Sequence, residues 1–126
     1  MEQKALKRDY QIEKADFGYR GSFSAMASPC EVLIETDDSQ LASDITAIVA
    51  GEAWRIEQKF SRYRKDNILY KIHHANGKKV KVDEEFSLLL NFSQQCYELS
   101  DGLFDITSGV LRRIWTFDGS DKIPTD

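Results

Sequence analysis

The chemical groups of this chain are densest at residues 100 to 117, "SDGLFDITSGVLRRIWTF". Gly102 can stop a preceding helix and let the chain turn sharply, which sets Leu103, Phe104, Asp105, Ile106 and Thr107 in an extended segment between two helices. A loop held at both ends is rigid, and it can offer backbone amides, one carboxylate and one hydroxyl to a ligand at little ordering cost. The same residues allow a plainer reading. Asp105 and Thr107 would then cap a helix starting near Ser108, with Phe104 and Ile106 buried in the core.

A second cluster is "FSRYRKDN", where Tyr63 stands between Arg62 and Arg64. A phenol flanked by guanidinium groups can stack on a heteroaromatic ring while the cations meet phosphate oxygens. The alternative is a solvated helix exit. Other candidates are weaker. His73 and His74 are adjacent, so on a helix their side chains diverge by about 100° and cannot share one metal as an i, i+4 pair can. Cys30 and Cys96 are far apart without C-x-x-C or Cys/His spacing, which favours two buried thiols in a reducing compartment over zinc or a disulfide. Ser24 and Ser28 have no His and Asp arranged around them for a hydrolase triad.

Positioning these groups requires a scaffold, and the apolar pattern supplies one. Residues 1 to 16 show no clear period and are expected to form a mobile arm. "FGYRGSFSAM" and "CEVLIET" alternate apolar and polar residues as a strand pair, broken at Ala27, Ser28 and Pro29. Leu41, Ile45, Ile48, Val49, Ala53, Ile56 and Phe60 fall on one face of a helix of about five turns, capped by Asp38 or Ser39. Gly51 within that helix points to close packing against another element. A short helix "ILYKIHHAN" follows, with Asn67 as N-cap and Gly77 just past its end.

"KKVKVD" alternates as a short edge strand guarded by lysines. Asp83 then caps a helix with Phe86, Leu89, Leu90, Ser93 and Tyr97 on one face; Leu88, Phe92, Cys96 and Leu99 widen the apolar arc, so cover on more than one side is expected. Strands grouped together and helices grouped after them give an α+β fold with a mostly antiparallel sheet. No G-x-G-x-x-G or G-x-x-x-x-G-K-[ST] loop occurs.

Composition narrows the function classes. With 126 residues, 41% of them hydrophobic, the chain is sized for one globular core. A formal charge of -4 supplies no basic face for a phosphate backbone, so no nucleic-acid partner is expected. The start "MEQKALKRDYQIEKAD" has no apolar run, hence neither a signal peptide nor a membrane span, and the sequence as it stands reads as cytoplasmic.

Three segments in order and spacing, "SAMASPCEVLIE", then "RIEQKFSRYRKDN" with "VKVDEEFSLLL", then "SDGLFDITSGVLRRIWTF", resemble the N-terminal half of the ApbE family over roughly residues 20 to 126. These are flavin transferases formerly described as thiamine-biosynthesis lipoproteins. The resemblance implies a magnesium-dependent FAD:protein FMN transferase, which attaches FMN through a phosphoester to a Thr or Ser of a target flavoprotein subunit. It also implies FAD-pocket roles for Met26, matching the family's A-M-G-T motif, for Tyr63, and for Leu103, Phe104 and Asp105; Arg62 or Arg64 would reach the pyrophosphate. Ala27 and Ser28 stand where the common pattern has Gly and Thr.

Typical members are more than twice this length, so the resemblance implies a truncated form. The magnesium ligands and the catalytic residues would lie in a C-terminal half, and that half or a second copy is an expected partner. A clipped leader would imply a periplasmic or membrane-associated protein. The contrasting expectation is a flavin-binding or interaction module without the transferase half.

Overall fold

The computed structural model describes residues 8–113, with side chains as far as Leu111. Residues 1–7 of the expected arm, and Trp115 and Phe117 of the densest segment, lie outside the described residues. The backbone is α+β, as expected. Strands β1 (Tyr10–Ala15), β2 (Gly18–Ala25) and β3 (Ser28–Ile34) precede helices α1 (Ser39–Phe60), α2 (Ile68–His73) and α3 (Glu84–Leu99) and a 3-10 turn, Ser108–Arg113. The strands form one antiparallel sheet in the order β1-β2-β3. Two compact units divide the chain between Val80 and Lys81.

β1 corrects the expectation of an arm reaching residue 16. Its own pattern is weak, because only Tyr10, Ile12 and Ala15 are apolar, yet Tyr10 pairs with Phe23, Ile12 with Gly21 and Lys14 with Tyr19. The partner strand supplies the hydrogen-bonding register that the sequence alone does not announce. Tyr10, Ile12, Gly21, Phe23, Ala25, Cys30, Val32 and Ile34 share the inner face by this register.

α1 covers that face with small side chains. Ala42, Thr46 and Ala50, spaced four apart, are its buried residues. The reason is Gly21: a Cβ there would stand 2.1 Å from the Thr46 Oγ1, so helix and strand approach as closely as a missing side chain permits. Thr46 Oγ1 turns back to donate to the Ala42 carbonyl at 2.8 Å, which satisfies the buried hydroxyl. Toward the helix C-terminus, Phe23, Ala25 and Ala50 form the core with Trp54 packed against it, its ring edge-on to Phe23 at 6.0 Å. Burying a Phe of this kind contributes about 1.5–3 kcal/mol.

This packing bears out the expected α1 face only in part: Ile45, Ala53, Ile56 and Phe60 are half-buried, with Ala53 packed against the core. Leu41, Ile48 and Val49 are exposed, because the sheet accepts the stripe one position further round the helix. Gly51 also differs from expectation, since a Cβ at that position meets nothing within 4 Å. It marks no close packing.

Helix starts agree with the capping residues read from sequence. Asp38 Oδ1 accepts from the amides of Gln40 and Leu41 at 2.8 and 3.1 Å, and Asp83 Oδ1 accepts from Phe86 at 2.9 Å. "KKVKVD" is not a strand in the structure. Val80 and Val82 are half-buried while Lys78, Lys79 and Lys81 are exposed, so its alternation records one-sided burial, with no neighbouring strand among the described residues to pair with.

On α3, Phe86 is buried, whereas Leu88, Leu89, Leu90, Phe92, Tyr97 and Leu99 are exposed, so the expected cover on several sides is not present among the described residues. Both cysteines are free and half-buried, less enclosed than expected. Among the described residues no helix is long and apolar enough to cross a membrane.

Candidate functional site

Met26 forms the tip of the β2–β3 hairpin with Ala27. Both adopt left-handed backbone, φ 51° and 57°, as a two-residue turn matching the twist of its strands requires. Such turns favour Asn-Gly, and a side chain at either position costs about 1 kcal/mol or more. What holds this turn is the ladder below it, Ala25 to Ser28 and Ser24 to Pro29, together with Trp54, whose Nε1 donates to the Ser24 carbonyl at 2.8 Å. Met26 itself is 55% exposed. Trp54 lies in the C-terminal half of α1, so that end of the helix is tied to the hairpin.

Tyr63 sits in the turn that follows α1 and is 59% exposed, with the Arg62 guanidinium 5.5 Å from its ring centroid. The turn is closed from within. The Tyr63 amide donates to Ser61 Oγ at 3.3 Å and the Arg64 amide to the Ser61 carbonyl at 3.3 Å. Arg64 is committed to Asp66 by a bidentate pair, Nε to Oδ1 at 2.8 Å and Nη2 to Oδ2 at 2.6 Å. The hydrogen bond from Arg64 holds the Asp66 carboxyl below its usual range, and the same contact raises Arg64. Of the two arginines expected near phosphate, Arg64 is therefore already answered by a carboxylate.

Leu103, Phe104 and Asp105 belong to the second unit. α3 ends through Asp101 and Gly102, both left-handed at φ 53° and 79°, and the Gly102 amide donates to the Tyr97 carbonyl at 2.9 Å. Ser100 Oγ then accepts from the Phe104 amide at 2.8 Å. Asp105 Oδ1 accepts twice from Thr107, from its amide at 2.8 Å and from its hydroxyl at 2.7 Å. These bonds keep the Asp105 carboxyl below the usual carboxylate range, the hydroxyl contributing most.

The capping reading of this loop holds in part. Asp105 does brace the start of the 3-10 turn, with the Ser108 amide 3.1 Å from its carbonyl. Phe104 and Ile106 are not core residues, however: they are 47% and 55% exposed, and Leu103 is 92% exposed. The loop spends its polar groups on itself and turns its apolar side chains outward.

Met26 and Tyr63 thus lie in the first unit, at the end of it where Trp54 joins helix and hairpin, while Leu103, Phe104 and Asp105 are consecutive in the second. Sequence reasoning missed Ser100, whose hydroxyl fixes Phe104, and Trp54. A tryptophan on an otherwise small-residue helix face was the available signal, because its N–H needs a partner when it packs. His73 and His74 bring no metal cluster: no group of three His, Cys, Asp or Glu lies close enough to hold an ion among the described residues. His74 instead stacks on Tyr70 at 3.9 Å.

The model of the ApbE family matches residues 26–126. The chain belongs to the ApbE family. The match begins at Met26 itself and takes in both candidate loops, and ApbE membership carries a flavin-transferase-related function by family. Searches of curated proteins and of solved structures each gave no match.

Proposed function

We propose that this ApbE chain supplies FAD-contacting surface to an FAD:protein FMN transferase, through Met26, Tyr63, Leu103, Phe104 and Asp105. The observation that supports it is the Leu103–Thr107 loop, in which Ser100, Asp105 and Thr107 bond to the loop itself while Leu103, Phe104 and Ile106 face outward. A pre-ordered apolar wall beside a carboxylate suits an isoalloxazine or adenine ring with a ribose hydroxyl or base N–H at its edge. Tyr63, with Arg62 over its ring, offers a second stacking surface.

In the reaction, a hydroxyl of the target protein bonds to the FMN-side phosphorus of FAD, the pyrophosphate P–O bond breaks, AMP leaves with its electron pair, and the hydroxyl proton passes to solvent. The residues described do not fit magnesium. Asp66 is taken by Arg64, Asp105 Oδ1 by Thr107, and no third ligand joins either among the described residues. Their part is to bind and orient FAD.

Titration of the purified chain with FAD, followed by flavin fluorescence and calorimetry, tests this reading. Saturable binding that Tyr63→Ala and Asp105→Ala each weaken supports it. Binding indifferent to both substitutions would remove these residues from the FAD-contacting surface.

A further inference from the structure

Asn67, four residues after Tyr63 in the chain, is a buried polar residue, only 7% exposed. Sequence reading gives it a single duty, capping α2, and its Oδ1 does accept from the Tyr70 amide at 3.1 Å. Its other end does more. Nδ2 donates to the Ser61 carbonyl at 2.7 Å and to the Gln58 carbonyl at 3.2 Å. The orientation of the amide follows from its partners, two carbonyls on one side and an N–H on the other.

The Ser61 carbonyl also accepts the Arg64 amide, which closes the turn around Tyr63. The Gln58 carbonyl lies in the last turn of α1, where helix carbonyls lack intrahelical partners. One side chain therefore ties the end of α1, the Tyr63 turn and the start of α2.

We propose that Asn67 is the positioning residue of the Tyr63 turn, holding the phenol ring where a flavin or adenine ring can stack on it. The inference rests on the proposed FAD role of Tyr63, but its mechanical half can be read without flavin. Arg62, Arg64 and Lys65 make the turn a trypsin target. Both Asn67→Ser and the isosteric Asn67→Asp keep an oxygen for the Tyr70 amide; the Asp carboxylate has no donor, and the Ser hydroxyl is a single donor on a side chain too short to span both carbonyls, so α2 retains its cap while the turn is released.

In flavin-free protein, trypsin cleavage after Arg62, Arg64 and Lys65 is expected to quicken about tenfold in both variants, with cleavage after Arg20 in the sheet unchanged. FAD affinity should fall roughly three- to tenfold, the range for loss of one or two neutral hydrogen bonds. In a Tyr63→Ala background the same substitutions should cost no further affinity, because the effect passes through the ring.

Cleavage that stays slow in both variants overturns the proposal. So does a parallel rise after Arg20, which would make Asn67 a general stability residue, and so do affinity losses that add to that of Tyr63→Ala. If cleavage quickens but Tyr63→Ala leaves FAD affinity intact, the clamp stands and the flavin contact of Tyr63 falls.

Discussion

The Met26–Ala27 turn and the Leu103–Thr107 loop both set candidate flavin contacts at the surface, and opposite means hold them. The hairpin tip has left-handed backbone at two residues that disfavour it, and it is held by the strand ladder and by α1 beneath. The Leu103–Thr107 loop has no ladder. Three short polar side chains, Ser100, Asp105 and Thr107, bond to its own backbone or to one another. The hairpin should therefore answer to changes far from it in the sheet, and the loop to changes within it.

The largest expected effect tests the first half of that contrast. Gly21→Ala places a methyl 2.1 Å from Thr46 Oγ1 and 2.5 Å from Thr46 Cγ2, so α1 must lift from β2. We expect about 1–3 kcal/mol of lost stability in urea unfolding, the range for overpacking a close contact. With α1 displaced, the Trp54 to Ser24 bond loosens, and Trp54 fluorescence should report the change at the hairpin. An unchanged midpoint would mean that the seam is softer than its geometry.

The second test concerns Asp105. Its folded carboxyl lies below the usual range, so the bracing it gives is fully present above the ordinary carboxylate pKa of about 3.9 and is lost as pH falls through the lower folded value. Protection of the Thr107 amide from hydrogen exchange should thus be flat from neutral pH to about pH 5 and decline only in stronger acid, below about pH 4. Asp105→Ala should remove that step and weaken FAD binding roughly tenfold, as loss of a charged hydrogen-bond partner does. Protection that declines with the same profile in Asp105→Ala would assign it to another carboxylate.

How legible these features were depends on whether they are local. Caps need one residue and a short reach, so Asp38, Asn67 and Asp83 could be read from the chain, as could the turn at Gly102. The α1 face could be read only in part. Its large apolar residues promise a buried stripe, but the sheet brings a glycine to the contact and selects the Ala42–Thr46–Ala50 stripe beside it. Likewise β1 exists because β2 pairs with it, and "KKVKVD" lacks such a neighbour among the described residues. Tyr63 and the Leu103–Asp105 run are singled out by residue type and Met26 by family resemblance alone, none of them by period. Ser100 and the second duty of Asn67 depend on where a polar atom ends in space, and sequence spacing does not encode that.

The smallest expected effect sharpens the contrast at the hairpin. Ala27 has φ 57°, where a Cβ crowds the following carbonyl, and this is the position at which two-residue hairpin turns favour glycine. Ala27→Gly relieves that crowding but gives the unfolded chain more freedom, so the two terms partly cancel and about 0.5–1 kcal/mol of stabilisation should remain. Because the ladder and Trp54 already fix the turn, FAD affinity should not change with it. A gain in stability without a change in affinity would show that the backbone at Ala27 was strained but correctly placed. Should affinity instead drop, the alanine conformation itself would be positioning Met26, and the hairpin would depend on its own residues as much as the second loop does.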